Sequence, residues 1–184
     1  LVVSQEVFHK LSMTETTQGI LAVVEIVKQE ILPHKGRFIM LDAVQDPGNL
    51  GTIVRTADAA GFDAVVLGTG TVDLYNDKVL RSMQGSHFHI PVFQANLQEY
   101  LPILKEKGVQ VAVTALHRDS KDYSVLQGAT DVAIVVGNEG QGVSSDVIEL
   151  ADVLVAIPMF GKAESLNVAI ASALLMYKTN ETKE

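Results

Sequence analysis

The chain has 184 residues, of which 22 are acidic and 14 basic, for a formal charge of −8 with histidine taken as neutral. With 47% hydrophobic and 20% charged residues it can bury a large core, which excludes intrinsic disorder. Cysteine is absent, so disulfide scaffolds, thiolate zinc sites and cysteine nucleophiles are excluded too. No apolar run approaches the roughly 18 residues that span a bilayer, and no signal peptide is visible. The expectation is one soluble, cytoplasmic domain, or one domain plus a fragment, whose acidity argues against clamping nucleic acid over its whole surface.

Residues 2–11 (VVSQEVFHKL) have a helical pattern, a polar turn covers 13–19, and 20–26 is apolar and β-branched enough for a strand. This opening is too short to be a domain and reads as the tail of one, or as a linker. Strands are then expected over 38–41, 64–67, 109–115, 132–136 and 153–157. Helices are expected over 50–60, 77–83, 97–107, 144–150 and 166–178, followed by a polar tail to residue 184. Gly61, Gly108 and Gly128 fall where a helix ends or a loop turns. Strands that are apolar throughout and separated by helices predict an α/β fold: a mostly parallel sheet with helices on both faces.

Ligands of such sheets sit beyond the carboxyl ends of the strands. Three of these ends carry unusual residues. In the first, Asp46-Pro47-Gly48 reads as a turn, and Asn49 as the N-cap of the following helix. Leu50, Ile53, Val54, Ala57 and Gly61 form a stripe that should face the sheet, with Arg55 pointing away from it on the ligand rim. The second end is Gly137-Asn138-Glu139-Gly140-Gln141-Gly142, whose glycines let backbone N–H groups approach a ligand. Its spacing is not the dinucleotide fingerprint, and Glu139 would repel a pyrophosphate, so a neutral or cationic group is expected there; a tight turn with Glu139 at a helix N-terminus is the plain alternative. The third end is Ile157-Pro158-Met159-Phe160-Gly161, with Ser165-Leu166-Asn167 opening an apolar helix, where capping accounts for Ser165 or Asn167 taken singly.

Taken together and in this order, Asn49…Arg55-Thr56-Ala57, Gly137-Asn138-Glu139-Gly140, and Ile157-Pro158-Met159 with Ser165-Leu166-Asn167-Val168 resemble the signature motifs of the SpoU/TrmH-type RNA 2′-O-ribose methyltransferases of the SPOUT superfamily. The resemblance runs from about residue 37 to 178, and the intervening stretch from Lys78 to Val92 matches imperfectly, with Met83 where the family often has a small hydroxyl residue. It implies a C-terminal trefoil knot, a rare exception to ordinary topology, and homodimerisation through the knot region. It also implies S-adenosylmethionine as cofactor, held by Leu116, Gly137, Asn138, Glu139, Gly140, Ile157, Met159, Ser165, Leu166 and Asn167, with no metal. The expected reaction is methylation of a ribose 2′-hydroxyl in RNA, with 23S ribosomal RNA the leading substrate. By the same resemblance Arg55 is the central catalytic residue, and Asn49, Glu139, Ser165 and Asn167 arrange the pocket. A guanidinium stays protonated in proteins, so Arg55 is expected to grip a phosphate or the oxygen rather than take the proton. Residues 1–30 would be the remnant of an N-terminal RNA-binding domain with its linker, and residues 31–184 the methyltransferase domain.

Other readings compete with this one. A non-catalytic RNA-binding scaffold could keep the fold, but it has no need of all of Asn49, Arg55, Glu139, Ser165 and Asn167. A related enzyme could methylate transfer RNA or a base atom. His87 and His89 lack the further partners that metal ligation requires, with His9, His34 and His117 scattered. A Mg²⁺ site built from Asp42, Asp46 and Glu139 lacks the lysine and hydroxyl of a phosphate loop.

Overall fold

The computed structural model describes residues 1–12, 14, 16–26 and 32–182. Helix α1 (Gln5–Leu11) starts where Ser4 Oγ accepts from Val7 N, and it buries none of its residues. The strand expected over 20–26 does not form: Ile20 is 87% and Val23 92% exposed, and no described strand lies alongside to complete a ladder. The expected turn at 13–19 and tail at 178–184 each include positions outside the described residues, and the expected domain boundary at 30–31 lies among such positions.

From Arg37 onward strands alternate with helices: β1 (Arg37–Asp42), α2 (Pro47–Ala59), β2 (Ala64–Leu67), α3 (Asp77–Met83), β3 (Val92–Gln94), α4 (Leu97–Glu106) and β4 (Gln110–Thr114). The chain continues through β5 (Lys121–Asp122), β6 (Val132–Gly137), α5 (Ser145–Ile148), β7 (Val153–Ala156) and α6 (Val168–Asn180). The seven strands are parallel and ordered β3-β2-β1-β6-β4-β7-β5. Side chains alternate across β1, so Ile39 and Leu41 join one core with Ile53, Val54, Leu175 and Met176 of α2 and α6. Phe38 and Met40 join the other, with Leu101 and Leu104 of α4 and Val147 of α5. Burial on both faces explains the unbroken apolar runs of β1 and β6.

Several expected elements shift. Helix α2 begins at Pro47 and is capped by Asp46, whose Oδ1 accepts from Asn49 N at 2.8 Å. Proline has no N–H to lose at the first helical position, so the cap falls to the residue before it and Asn49 lies inside the helix. The last helix starts at Val168, two residues later than its apolar pattern suggests, because Asn167 is its cap. Helix α5 shrinks to Ser145–Ile148. Strands β3 and β5 have no counterpart in the periodicity: one has three residues and the other is two exposed polar residues that are strand only because β7 lies beside them.

Candidate functional site

The strand order sets the carboxyl ends of β1, β6, β4 and β7 side by side, so the three singled-out loops meet along one edge of the sheet. The loop after β1 turns at Ala43, which is left-handed (φ 56°). Asn138 Nδ2 donates to the Ala43 carbonyl at 2.9 Å, while Asn138 Oδ1 accepts from the amides of Gly140 and Gln141. One side chain therefore shapes its own loop and fastens it to the loop after β1. Gly137 is glycine because the loop closes on itself: a Cβ there would stand 2.1 Å from Gly142 C and Val143 N. At Gly137, then, self-packing rather than ligand approach dictates the residue, and Gly142 supplies the left-handed turn (φ 72°).

Glu139 reaches across to the start of α2. Its Oε1 accepts from Asp46 N at 3.1 Å and its Oε2 from Gln45 N at 3.2 Å. Asn49 Nδ2 donates to Oε1 at 2.9 Å. Partial burial pushes the Glu139 carboxyl up, but the bonds from Asn49, its own backbone, Gln45 and Asp46 outweigh this and hold it below its ordinary value. Asn167 Nδ2 donates to Asn49 Oδ1 at 2.9 Å. Asn167 Oδ1 then caps α6 by accepting from Ala169 N at 2.9 Å and Ile170 N at 3.3 Å. An ionised carboxylate only accepts, so Asn49 must turn its NH₂ toward Glu139 and its oxygen toward Asn167. The charge on Glu139 sets the polarity of the whole chain of bonds.

Of the five residues expected to be catalytic, Asn49, Glu139 and Asn167 are joined directly. The side chains of Arg55 and Ser165 are exposed and have no hydrogen bond or ion pair among the described residues, so no described bond ties either one to this network. Glu139 does sit at a helix N-terminus, that of α2, so its plain and functional readings coincide. The carboxylates considered for Mg²⁺ are each engaged with main chain: Asp42 accepts from Ser144 N, Asp46 caps α2, and Glu139 bonds as above. Among the described residues no three His, Asp or Glu side chains are grouped to hold a metal ion.

The expected cofactor residues border the same edge. Leu116 is 78% exposed beyond β4, Ile157 and Met159 are half-buried beyond β7, and Leu166 is exposed at the approach to α6. Phe160, 96% exposed, was not singled out as a site residue although it belongs to the same apolar rim. From Met159 to Leu166 no backbone group has a hydrogen-bond partner among the described residues. Apolar walls and unspent main-chain donors together suit a ligand with a flat ring and polar ends, and S-adenosylmethionine is of that kind. A separate open cleft of about 530 Å³, lined by Arg37, Thr130, Thr179 and Asn180, lies where β1 begins, at the opposite edge of the sheet. It contains none of these residues. Ala43 and the amides of Gln45 and Asp46 were not foreseen as parts of the site; no residue-type signal marks them, because their part is played by backbone.

Residues 36–177 match the family model of the SpoU rRNA methylase family. The chain is 48% identical over 176 residues to the 23S rRNA (guanosine(2553)-2′-O)-methyltransferase RlmP of Bacillus subtilis, covering 96% of this chain and 70% of that protein. It spans 61% and 65% of two further curated relatives, from Staphylococcus epidermidis and Synechocystis. The AdoMet-bound rRNA methyltransferase from Sinorhizobium meliloti superimposes with a TM-score of 0.87 at 34% identity, over 96% of this chain and 69% of that one. AviRb from Streptomyces viridochromogenes, in complex with the cofactor AdoMet, does so with a TM-score of 0.71 at 28% identity, over 81% and 58%. With a family model matched over most of its length and a relative 48% identical over nearly all of it, the chain belongs to the SpoU rRNA methylase family.

Proposed function

We propose that the chain is the catalytic part of an RNA methyltransferase that transfers a methyl group from S-adenosylmethionine to a ribose 2′-hydroxyl of 23S ribosomal RNA. The observation that carries the reading is the bonded chain Glu139–Asn49–Asn167, which locks three motifs distant in sequence into one edge. When bound, the cofactor supplies a methyl group already activated by its sulfonium. Leu116, Ile157, Met159 and Leu166 would give apolar contact to its ring, and the backbone from Met159 to Leu166, without hydrogen-bond partners among the described residues, would give polar contact. The protein's remaining tasks are to place the hydroxyl and to stabilise it as its proton leaves. Glu139 has both oxygens engaged and a lowered proton affinity, which suits positioning Asn49 rather than accepting a proton. Arg55, exposed and permanently charged, is the group suited to hold a phosphate or the hydroxyl oxygen, with water or another acceptor taking the proton. Ser165, exposed two residues before the α6 cap Asn167, is assigned to the same pocket.

The same reading includes a trefoil knot, supported by a strand order in which β6 lies between β1 and β4 and β7 beyond β4. It includes a homodimer, supported by the exposed Ile170, Leu174 and Tyr177 that share a stripe along α6. Residues 1–30 are read as belonging to a separate RNA-binding unit, consistent with an α1 that buries nothing. With ribosomal RNA as its substrate, the same reading has the protein acting in the cytoplasm. No described helix is long and apolar enough to cross a membrane. Incubation with S-adenosylmethionine and either ribosomal or transfer RNA, followed by mass spectrometry of the nucleosides, tests the proposal. A 2′-O-methylated nucleoside from 23S RNA is expected; methylation confined to transfer RNA or to a base, or no cofactor binding by calorimetry, overturns it.

A further inference from the structure

The stretch from Lys78 to Val92 takes no part in the Glu139–Asn49–Asn167 network, yet its first residue stands beside it. The loop between β2 and α3 is fastened to the loop after β1: Val72 N donates to the Val44 carbonyl at 2.9 Å, and Thr71 Oγ1 to that of Leu41 at 3.1 Å. Helix α3 then lies flush against α2. A Cβ on Gly51 would stand 2.5 Å from Ser82 Cβ, and Ser82 Oγ donates to the Gly48 carbonyl at 3.0 Å. Lys78 precedes Ser82 by four residues and so shares its face of α3, one turn earlier. Its stem passes over the first turn of α2, where a Cβ on Gly48 would lie 3.8 Å from Lys78 Cε. Its Nζ comes within 3.8 Å of Asp46 Oδ2. Asp46 is the residue whose Oδ1 caps α2 at Asn49 N and whose own N–H serves Glu139. The ammonium is therefore one residue removed from the Glu139–Asn49 pair.

An ion pair this long between exposed groups contributes little to stability, so the pairing alone does not account for Lys78. None of its three ammonium N–H groups makes a hydrogen bond among the described residues. Arg81, one turn further along α3, is by contrast closed on Asp77 at 2.6 Å. An RNA strand brings a negative charge on every phosphate to an edge that already carries Asp42, Asp46 and Glu139. A cation held against those carboxylates with its donors unspent offsets that repulsion where it acts. An ammonium is also a compact charge with rotatable donors, which suits a single phosphate oxygen.

We propose that Lys78 holds a backbone phosphate of the RNA strand that flanks the ribose to be methylated. This rests on the reading of the chain as an RNA methyltransferase and names where its substrate's backbone docks. The test measures affinity for a transcribed fragment of 23S ribosomal RNA as salt is raised from about 50 to about 200 mM. In Lys78→Gln the slope of log affinity against log salt should shrink by about 0.7 to 0.9, the value of one phosphate contact, and Lys78→Arg should keep it. The KM for RNA should rise more than kcat falls, because the contact is made in ground and transition state alike. Thermal midpoints and cofactor affinity by calorimetry should match wild type. An unchanged salt slope in Lys78→Gln overturns the contact. So does a fall in kcat at constant KM, which would make Lys78 a prop for Asp46 alone. Lost cofactor affinity also overturns it, since the ammonium would then serve the carboxylate of S-adenosylmethionine. In each case methylation by the wild-type chain leaves the enzyme reading standing, whereas a wild-type chain that neither binds nor methylates RNA removes both proposals together.

Discussion

Asn49 Oδ1 accepts a hydrogen bond from Asn167 Nδ2 at 2.9 Å, joining residues 118 positions apart. The bond ties the first turn of α2 to the cap of α6, and its direction is set by the carboxylate of Glu139 on the other side of Asn49. Replacing Glu139 by Gln removes the charge and leaves one oxygen to serve amides that now share two. Glu139→Gln should cost about 1 kcal/mol of stability, because bonds to a charged acceptor are lost at a partly exposed site. Methyl transfer should fall at least about ten-fold, the equivalent of about 1.4 kcal/mol in the barrier. Thermal unfolding and single-turnover rates read the two effects separately.

The same carboxylate predicts an acid limit. Its folded-state proton affinity is lowered despite the opposing push of burial, so its contribution is fully present above the ordinary value of 4.5. It is lost as pH falls through the lower folded value. Below pH 4.5 the stability gap between wild type and Glu139→Gln should therefore close, while at neutral pH it stays open. Denaturant midpoints across this range check the sign; a gap that widens in acid would contradict it.

The Arg55 side chain is exposed and has no hydrogen bond or ion pair among the described residues, so its removal should be silent for folding. Arg55→Ala should change stability by no more than about 0.5 kcal/mol. It should slow the chemical step by about a hundred-fold or more, as when one donor to a developing oxyanion is removed. Arg55→Lys should fall between, since an ammonium keeps the charge but not the fork of donors. An Ala variant with unimpaired single-turnover chemistry would count against the assignment.

Two backbone positions predict opposite outcomes. Ala43 is held left-handed by the loop contacts, so Ala43→Gly should relieve strain and stabilise the fold by about 0.5 kcal/mol after the entropy of glycine is offset. Gly137→Ala should destabilise by about 3 kcal/mol or more, because its methyl would stand 2.1 Å from Gly142 C. It should also abolish cofactor binding measured by calorimetry.

The α6 stripe predicts self-association. Leu174→Glu, placed at the centre of exposed Ile170, Leu174 and Tyr177, should shift the protein from dimer to monomer in sedimentation. Helix content should be unchanged, since the substituted side chain faces outward.

Much of this protein can be read without its coordinates. Residues 64–67 and 77–83 form the strand and helix their patterns predict, and Leu50, Ile53, Val54 and Ala57 are buried as their spacing requires, whereas Gly61, expected in the same stripe, is exposed beyond the end of α2 in a left-handed turn (φ 68°). Such elements are legible because a local period reports directly which face is dry. Motif identity likewise marked Asn49, Glu139 and Asn167. The acidity, in contrast, misdirects: a charge of −8 argued against nucleic acid in a chain that proves to be a SpoU-family protein, because net charge averages over a surface and says nothing of one edge. Tertiary structure alone decided the rest. It placed β6 between β1 and β4, so that residues 90 and 118 positions apart in sequence could bond. It made Lys121–Asp122 a strand and left residues 20–26 without one, because a ladder exists only where a neighbour supplies its other half. It also gave Gly137 its reason and Ala43 its strain, both consequences of where distant backbone returns and therefore invisible to any local pattern.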